Sequence, residues 1–295
     1  MAATSKKAVK RNRSDPRGGH VTSRWAAMSA ILKGIIDCNR RLSGSIEPFL
    51  PQARDDIFLL YERKVGERMR TTGIKVMADV GGGKECPFAR YRDAGSGTRI
   101  IAVDWSEEEI QENRDVDEKI VADITRGLPF PDGSVDMITS RSVLEHLLDI
   151  EAFVAESRRA LREGGYFIHL FPCRFAPLAL INRLLPDPIA RGLLFSLLPE
   201  ARGKGGFPAL YRDCYYSAMQ RILKENGFEI EELTASYYQS PYFGFFLPLY
   251  LLSAAYELLV RALGARDLCA YLLVVARKAA CRESGASRAN TRSDP

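Results

Sequence analysis

The sequence predicts an α/β fold built on a mostly parallel sheet, and three observations carry that prediction. Short apolar runs recur at Val76–Val80, Arg99–Val103, Ile120–Ala122, Val135–Thr139 and Tyr166–Phe171. Helix-length stretches such as Ile150–Leu161 lie between them, and strands alternating with helices imply crossover connections and parallel pairing. The first three runs end in Gly81-Gly82-Gly83, Asp104 and Asp123, so polar or flexible residues fall at successive strand tips.

Taken in order, residues 1–24 read as a disordered basic arm, with Lys6, Lys7, Lys10, Arg11, Arg13, Arg17 and Arg24 set against the single acid Asp15. Such a segment has too little apolar surface to offset the entropy of ordering. Residues 25–72 read as a helical N-terminal extension. Met28, Ile31, Leu32, Ile35 and Ile36 give helical spacing over Trp25–Leu42, and a second helix is expected over Ala53–Arg70, with Pro48 and Pro51 between the two. Residues 73–278 form the main domain. Its later part adds the helix Ser217–Asn226, stopped by Gly227, then strands at Glu229–Ala235 and Ala270–Ala276. Insertions at 173–216 and 237–267 are long for a compact domain, and long loops are usually functional. Residues 279–295 read as a second disordered tail.

The net charge of +5 belongs to the ends of the chain, because the arm alone carries +6 and the body is close to neutral. Six cysteines, none in a C-x-x-C pair, and three histidines argue against a metal site and against a disulfide framework. A reducing, cytoplasmic setting follows as the simplest expectation, and no signal peptide is visible.

The strand tips suggest a nucleoside site. Glycines at 81–83 let backbone approach a ligand and take φ > 0, and the loop is expected to open onto a helix N-terminus. Asp104 can accept both hydroxyls of a ribose, or it can cap a helix at Ser106–Asn113. Trp105 can stack on an adenine, and Asp123 with Ile124 can take the adenine amine and ring face. A dinucleotide fingerprint would need glycine where Cys86 stands.

The run Asp79-Val80-Gly81-Gly82-Gly83, the acid at 104, the stretch VADITRGLPFPDGSVDMITSRSVLEHL (121–147) and ALREGGYFIHLFP (160–172) together resemble the class I S-adenosylmethionine-dependent methyltransferases. The closest likeness is to the small-molecule, type 11-like subgroup. The resemblance is close over roughly 75–172 and looser over the last two strands. It implies a Rossmann-like seven-stranded, mostly parallel sheet with helices on both faces and the last strand antiparallel. It also implies that S-adenosyl-L-methionine is the cofactor. By the same resemblance Asp79, Gly81 and Gly83 shape the methionine pocket, Asp104 holds the ribose, and Trp105, Asp123 and Ile124 flank the adenine. Ser140 and Arg141 line the methionine side, and Asp136 caps the start of its own strand. Glu85 stands where the family often has a third glycine. A carboxylate there would face the cofactor's carboxylate unless Lys84 or the cofactor ammonium offset it.

On the acceptor side His146 is the candidate base, placed in the helix expected after the fourth strand, with a structural role as the alternative. His169, between apolar neighbours on the fifth strand, reads as a buried core histidine, and His20 lies in the arm. Tyr211, Tyr215 and Tyr216 beside Arg212 either line an acceptor pocket or open the next helix. Ser140-Arg141-Ser142-Val143 replaces the N/D-P-P-Y/F motif of amino-methylating enzymes, which counts against nucleic acid as substrate. Residues 233–256 carry no charge, yet Pro241, Gly244 and Pro248 interrupt them. A buried helix from Pro248 to Leu263 is expected, with peripheral membrane contact through Phe243, Phe245, Phe246 and Leu247 as a second option. The resemblance implies O-methylation of a sugar, glycan precursor or secondary metabolite. Its alternatives are C-methylation of a lipophilic quinone-like ring and a binding module that has lost catalysis.

Overall fold

The computed structural model describes residues 18–54, 56–71, 73–92, 97–184 and 209–280. Seven strands form one sheet: β1 Val76–Val80, β2 Arg99–Asp104, β3 Glu118–Val121, β4 Val135–Arg141, β5 Leu161–Pro172, β6 Phe228–Ser236 and β7 Tyr271–Lys278, in spatial order β3-β2-β1-β4-β5-β7-β6. The pairs β1–β2, β1–β4, β2–β3 and β4–β5 are parallel, and β7 runs antiparallel between β5 and β6. Central strands buried on both faces need continuous apolar sequence. Met77, Ala78, Val80, Ile100, Ile101, Ala102 and Val103 meet that need and are inaccessible or nearly so.

Among the described residues the helices are α1 Gly18–Ile46, α2 Ile57–Thr71, α3 Glu107–Glu112, α4 Ile150–Ala160, α5 Pro177–Leu184, α6 Tyr216–Glu225 and α7 Leu247–Ala262. They cover both faces of the sheet, as β5 shows. Tyr166 meets the Arg68 guanidinium of α2 at 5.4 Å, while the next residue, Phe167, meets Phe153 of α4 at 6.3 Å. Side chains of neighbouring strand residues point to opposite faces, so the two helices lie on opposite sides.

Three local expectations change. First, α1 begins at Gly18, so residues 18–24, assigned to the arm, have helical backbone, while residues 1–17 lie outside the described residues. Second, α2 starts at Ile57 rather than Ala53. Residues 51–53 form a 3-10 turn that contains Pro51, and the Asp56 carboxylate accepts the Phe58 and Leu59 amides at 2.9 and 3.2 Å, capping the helix. Third, no α-helix follows the glycine loop among the described residues. Positions 81–92 form turns and a 3-10 helix at Ala89–Tyr91, and Pro87 lies within those turns. The anion-binding helix N-terminus expected behind Gly83 is therefore not there.

The tail after 280 and most of the first insertion, 185–208, lie outside the described residues. Asp136 caps a strand, but that strand is its neighbour, not its own. Its carboxylate accepts the Lys75 and Val76 amides at the head of β1, both at 2.7 Å, and pairs with Arg162. Cys173 and Cys269, 96 residues apart in sequence, are buried free thiols whose sulfurs lie 3.2 Å apart. Among the described residues no group of three or more His, Cys, Asp or Glu is placed to hold a metal ion.

Candidate nucleoside site at the strand tips

The tips of β1, β2 and β3 are adjacent because those strands pair side by side in parallel. The glycine turn is tied to the β2 tip through backbone. Gly81 and Gly82 donate to Val103 O at 2.8 and 3.4 Å, and Gly83 donates to Asp104 Oδ2 at 3.0 Å. Gly81 takes φ 71° and Gly83 φ 39°. A Cβ on Gly81 would collide with Val143 Cγ2, whereas one on Gly83 would meet nothing closer than 3.9 Å. The loop is therefore packed beneath Gly81 and open at Gly83.

Asp104 does not cap α3. Ser106 does, accepting Glu109 N through its hydroxyl, and Asp104 Oδ1 accepts Ser106 N at 2.9 Å. Each Asp104 oxygen thus takes one backbone N–H and keeps a lone pair for a ligand hydroxyl. Trp105 is 60 % exposed beside it. Asp123 follows β3 and caps the 3-10 turn Ile124–Arg126. Bonds from Thr125, with Arg126 at 3.3 Å, hold its carboxyl below the usual range, so it is ionised. Ile124 is half-buried.

What shapes the loop in place of a helix is a pair of side chains that sequence reasoning passed over. Asn113, fully buried at the end of α3, donates to Gly82 O and Gly83 O at 3.0 and 3.2 Å. Asp115 accepts Cys86 N at 3.0 Å. These bonds satisfy groups that a following helix would otherwise have satisfied. Asn113→Leu is expected to cost about 1–3 kcal/mol by orphaning two carbonyls, and to weaken nucleoside binding. Thermal unfolding and calorimetry check both effects, and wild-type values in each would remove Asn113 from the loop's support.

Glu85 points to solvent while Cys86 is buried. Lys84 offsets a different acid, lying 3.2 Å from Glu112. Asp79 is buried on β1 with Thr139 of β4 donating to it at 3.2 Å. Burial pushes its carboxyl up to about 7, opposed by the Thr139 and Cys86 bonds and by the Arg141 charge. Arg141 lies 3.5 Å from Glu62 of α2, which Arg90 also contacts, and Tyr61 of α2 packs edge-on to Phe88 at 5.5 Å. The N-terminal extension therefore lies against the glycine loop and the end of β4.

Ser140 is placed differently from expectation. Its side chain is buried on the face opposite Asp79, with its Oγ 2.6 Å from His169 Nδ1. Strand alternation forces this once Thr139 faces Asp79. His169 is a core histidine, its ring against Phe167 and Phe153, and burial lowers its pKa to about 3.

His146 sits in a 3-10 turn, Leu144–His146, rather than a helix. Its neighbour Glu145 is the larger finding. Glu145 is buried, its Oε2 has no hydrogen-bond partner, and burial raises its pKa to about 8. His146 Nε2 lies 3.8 Å from Glu145 Oε1. The Glu145 carbonyl accepts both Leu210 N and Tyr211 N, at 2.7 and 2.9 Å, so the end of the first insertion folds over this turn. The described non-glycine residues with positive φ are Ser142, Tyr211 and Asp213. All flank this point, and such backbone strain clusters at functional sites. Val143, two residues before Glu145, is the residue that packs under Gly81.

Asp79 and Glu145 hold their protons more tightly in the fold than unfolded, where the ordinary values are 3.8 and 4.5. The stability this gives is complete below about pH 4 and is lost as pH rises through about 7 and 8. The unliganded protein is expected to melt at progressively lower temperature from pH 6 to 9, and Asp79→Asn to flatten the earlier part of that decline. A melting temperature that rose over the range would contradict the assignment.

A glycine turn and two acids, Asp104 and Asp123, thus stand at three adjacent parallel strand tips of an α/β domain. Residues 78–169, about a third of the chain, match a family profile described as a methyltransferase domain. A probable S-adenosylmethionine-dependent methyltransferase of Mycolicibacterium smegmatis is 39 % identical over 85 residues, covering 27 % of this chain and 32 % of that protein. An uncharacterized 37.1 kDa protein in transposon TN4556 of Streptomyces fradiae is 36 % identical over 75 residues, covering 24 % of this chain and 22 % of that protein. The chain thus spans about a third or less of the length of these relatives. A solved S-adenosylmethionine-dependent methyltransferase from Mesorhizobium loti superposes with TM-score 0.46 at 21 % identity, over 74 % of this chain and 97 % of that one. Over residues 78–169 the chain is thus similar to S-adenosylmethionine-dependent methyltransferases.

S-adenosylmethionine is the cofactor of that class, and the residues present fit it. Both Asp104 oxygens retain acceptor capacity, the loop is open at Gly83, and an exposed indole stands next to Asp104.

Proposed function

We propose that this protein transfers a methyl group from S-adenosylmethionine to a hydroxyl of a small molecule such as a sugar, a glycan precursor or a secondary metabolite. The observation that carries the reading is the buried Glu145 carboxyl with one oxygen unpartnered, two residues from the Val143–Gly81 contact. A hydroxyl acceptor must lose a proton, and a base near its reacting oxygen supplies that service.

In this reading Asp104 binds the ribose hydroxyls, Trp105 and Ile124 flank the adenine, and Asp123 accepts from its amine. Asp79, Gly81, Gly83 and Arg141 shape the methionine end. Ser140 contributes there through its backbone, since its side chain is committed to His169. The cofactor supplies an electrophilic methyl carried on a sulfonium. Glu145 Oε2 takes the acceptor proton, and the partly exposed His146 passes it towards solvent. His146→Ala is expected to leave cofactor affinity unchanged and to lower turnover by about tenfold or more. Full turnover in that variant would remove His146 from the proton path.

The test is a screen of hydroxylated small molecules with methyl-labelled S-adenosylmethionine, followed by location of the label. Label on oxygen supports the proposal. Label on carbon, or no transfer by protein that binds the cofactor, overturns it.

A further inference from the structure

Helix α7 carries apolar residues on both faces, with Tyr250, Ala254 and Val260 buried against the domain. Its acid, Glu257, is fully buried and accepts from Gln52 Nε2, Gln239 N, Ser240 Oγ and Ser253 Oγ at 3.1–3.2 Å. Several of its leucines are exposed, Leu252 and Leu259 by 67 and 58 %, with Leu251 and Leu258 also accessible and Leu263, at its C-cap, exposed by 71 %. A surface helix of a water-soluble domain normally keeps charged and polar residues on its outer face.

The neighbouring α1 repeats the pattern. Met28, Ile31, Leu32, Ile35 and Leu42 recur at intervals of three, four and seven, so they share one stripe, and each is about half exposed or more. The two elements are joined where Asn39 Oδ1 accepts Leu247 N at 2.8 Å and Ser43 Oγ donates to Gly244 O at 3.3 Å. Exposed apolar surface on this scale marks an interaction face. The aromatic cluster that the sequence singled out is not that face. Phe243 is buried and Phe245 half-buried, and only Phe246 is open.

We propose that the outer faces of α1 and α7 dock on an anionic lipid membrane, lying in its interface. Charge selects this occupant. Lys33, Arg40 and Arg41 are exposed on α1, and the chain preceding this part of the helix carries +6 over residues 1–24. Anionic headgroups neutralise that charge, and apolar insertion combined with basic residues is the general recipe for interfacial binding. A second copy seated on the same face would bring two such basic ends together. Among the described residues no helix is long and apolar enough to cross a membrane, so the face lies on the bilayer rather than through it.

The test is co-sedimentation of the full chain with vesicles of phosphatidylcholine, with and without phosphatidylglycerol, at low and high salt. Leu252→Glu/Leu259→Glu and Ile31→Glu/Ile35→Glu serve as variants, their folding checked by circular dichroism and by S-adenosylmethionine binding. Binding is expected for the anionic vesicles, weakened on the order of tenfold by salt, by omission of the anionic lipid and by either pair of glutamates. No binding to anionic vesicles by folded wild-type protein would overturn the proposal. So would equal binding to both vesicle types, or a wild-type dimer that the glutamates dissociate without any vesicle binding. None of these outcomes depends on methyl transfer.

Discussion

Asp104→Ala is expected to weaken S-adenosylmethionine binding roughly a hundredfold, about 3 kcal/mol, while the protein stays folded. Two losses combine. The ribose hydroxyls lose a charged acceptor, and charge-assisted hydrogen bonds are about twice as strong as neutral ones. The Gly83 amide also loses its bond to Asp104 Oδ2, so the loop that must approach the cofactor is no longer fixed to the β2 tip. Asp104→Asn separates the two, because an amide oxygen can still accept from Gly83 while the charge is gone. Its affinity should fall between wild type and alanine. Calorimetry reads both variants, and an alanine variant within threefold of wild type would detach Asp104 from the ribose.

Glu145→Gln is expected to abolish most turnover, by a factor of about 10²–10⁴, with cofactor affinity intact. Glutamine has nearly the same shape, and the Leu210 and Tyr211 bonds go to the backbone carbonyl, which the substitution does not touch. What disappears is the ability of the side chain to accept a proton. The wild-type rate should also rise with pH as the carboxyl ionises near its raised value of about 8, and the glutamine variant should lack that limb. A purely structural Glu145 would lose stability on substitution without losing the pH dependence. Full activity in the variant would end the assignment.

Legibility in the sequence followed the range of the forces involved. β1 was readable to the residue because a strand buried on both faces must be written as an apolar run, and Val76–Val80 is one. The acids at 104 and 123 were readable because they end such runs. The turns that follow the glycine loop in place of the expected helix were not legible because their partners are distant. Asn113 and Asp115 lie about 30 residues on, and only packing brings them beneath Gly82, Gly83 and Cys86. Glu145 was passed over for a similar reason. Beside a histidine it looks like an exposed acid, and its burial follows from chain around residue 210 bonding to its carbonyl. Ser140 was assigned by position after β4, whereas its true direction depends on strand parity relative to Asp79 and Thr139. The outward leucines of α7 were in plain view as an uncharged stretch. Their orientation was not, because it is set by the polar network that draws Glu257 inward.

The placement of three strand tips around one nucleoside is tested most directly by titrating the intact, folded chain with S-adenosylmethionine in a calorimeter. One molecule bound per chain, displaced by S-adenosylhomocysteine and weakened by Asp104→Ala, is the predicted result. A folded protein that releases no heat and gains no thermal stability at millimolar cofactor would contradict it.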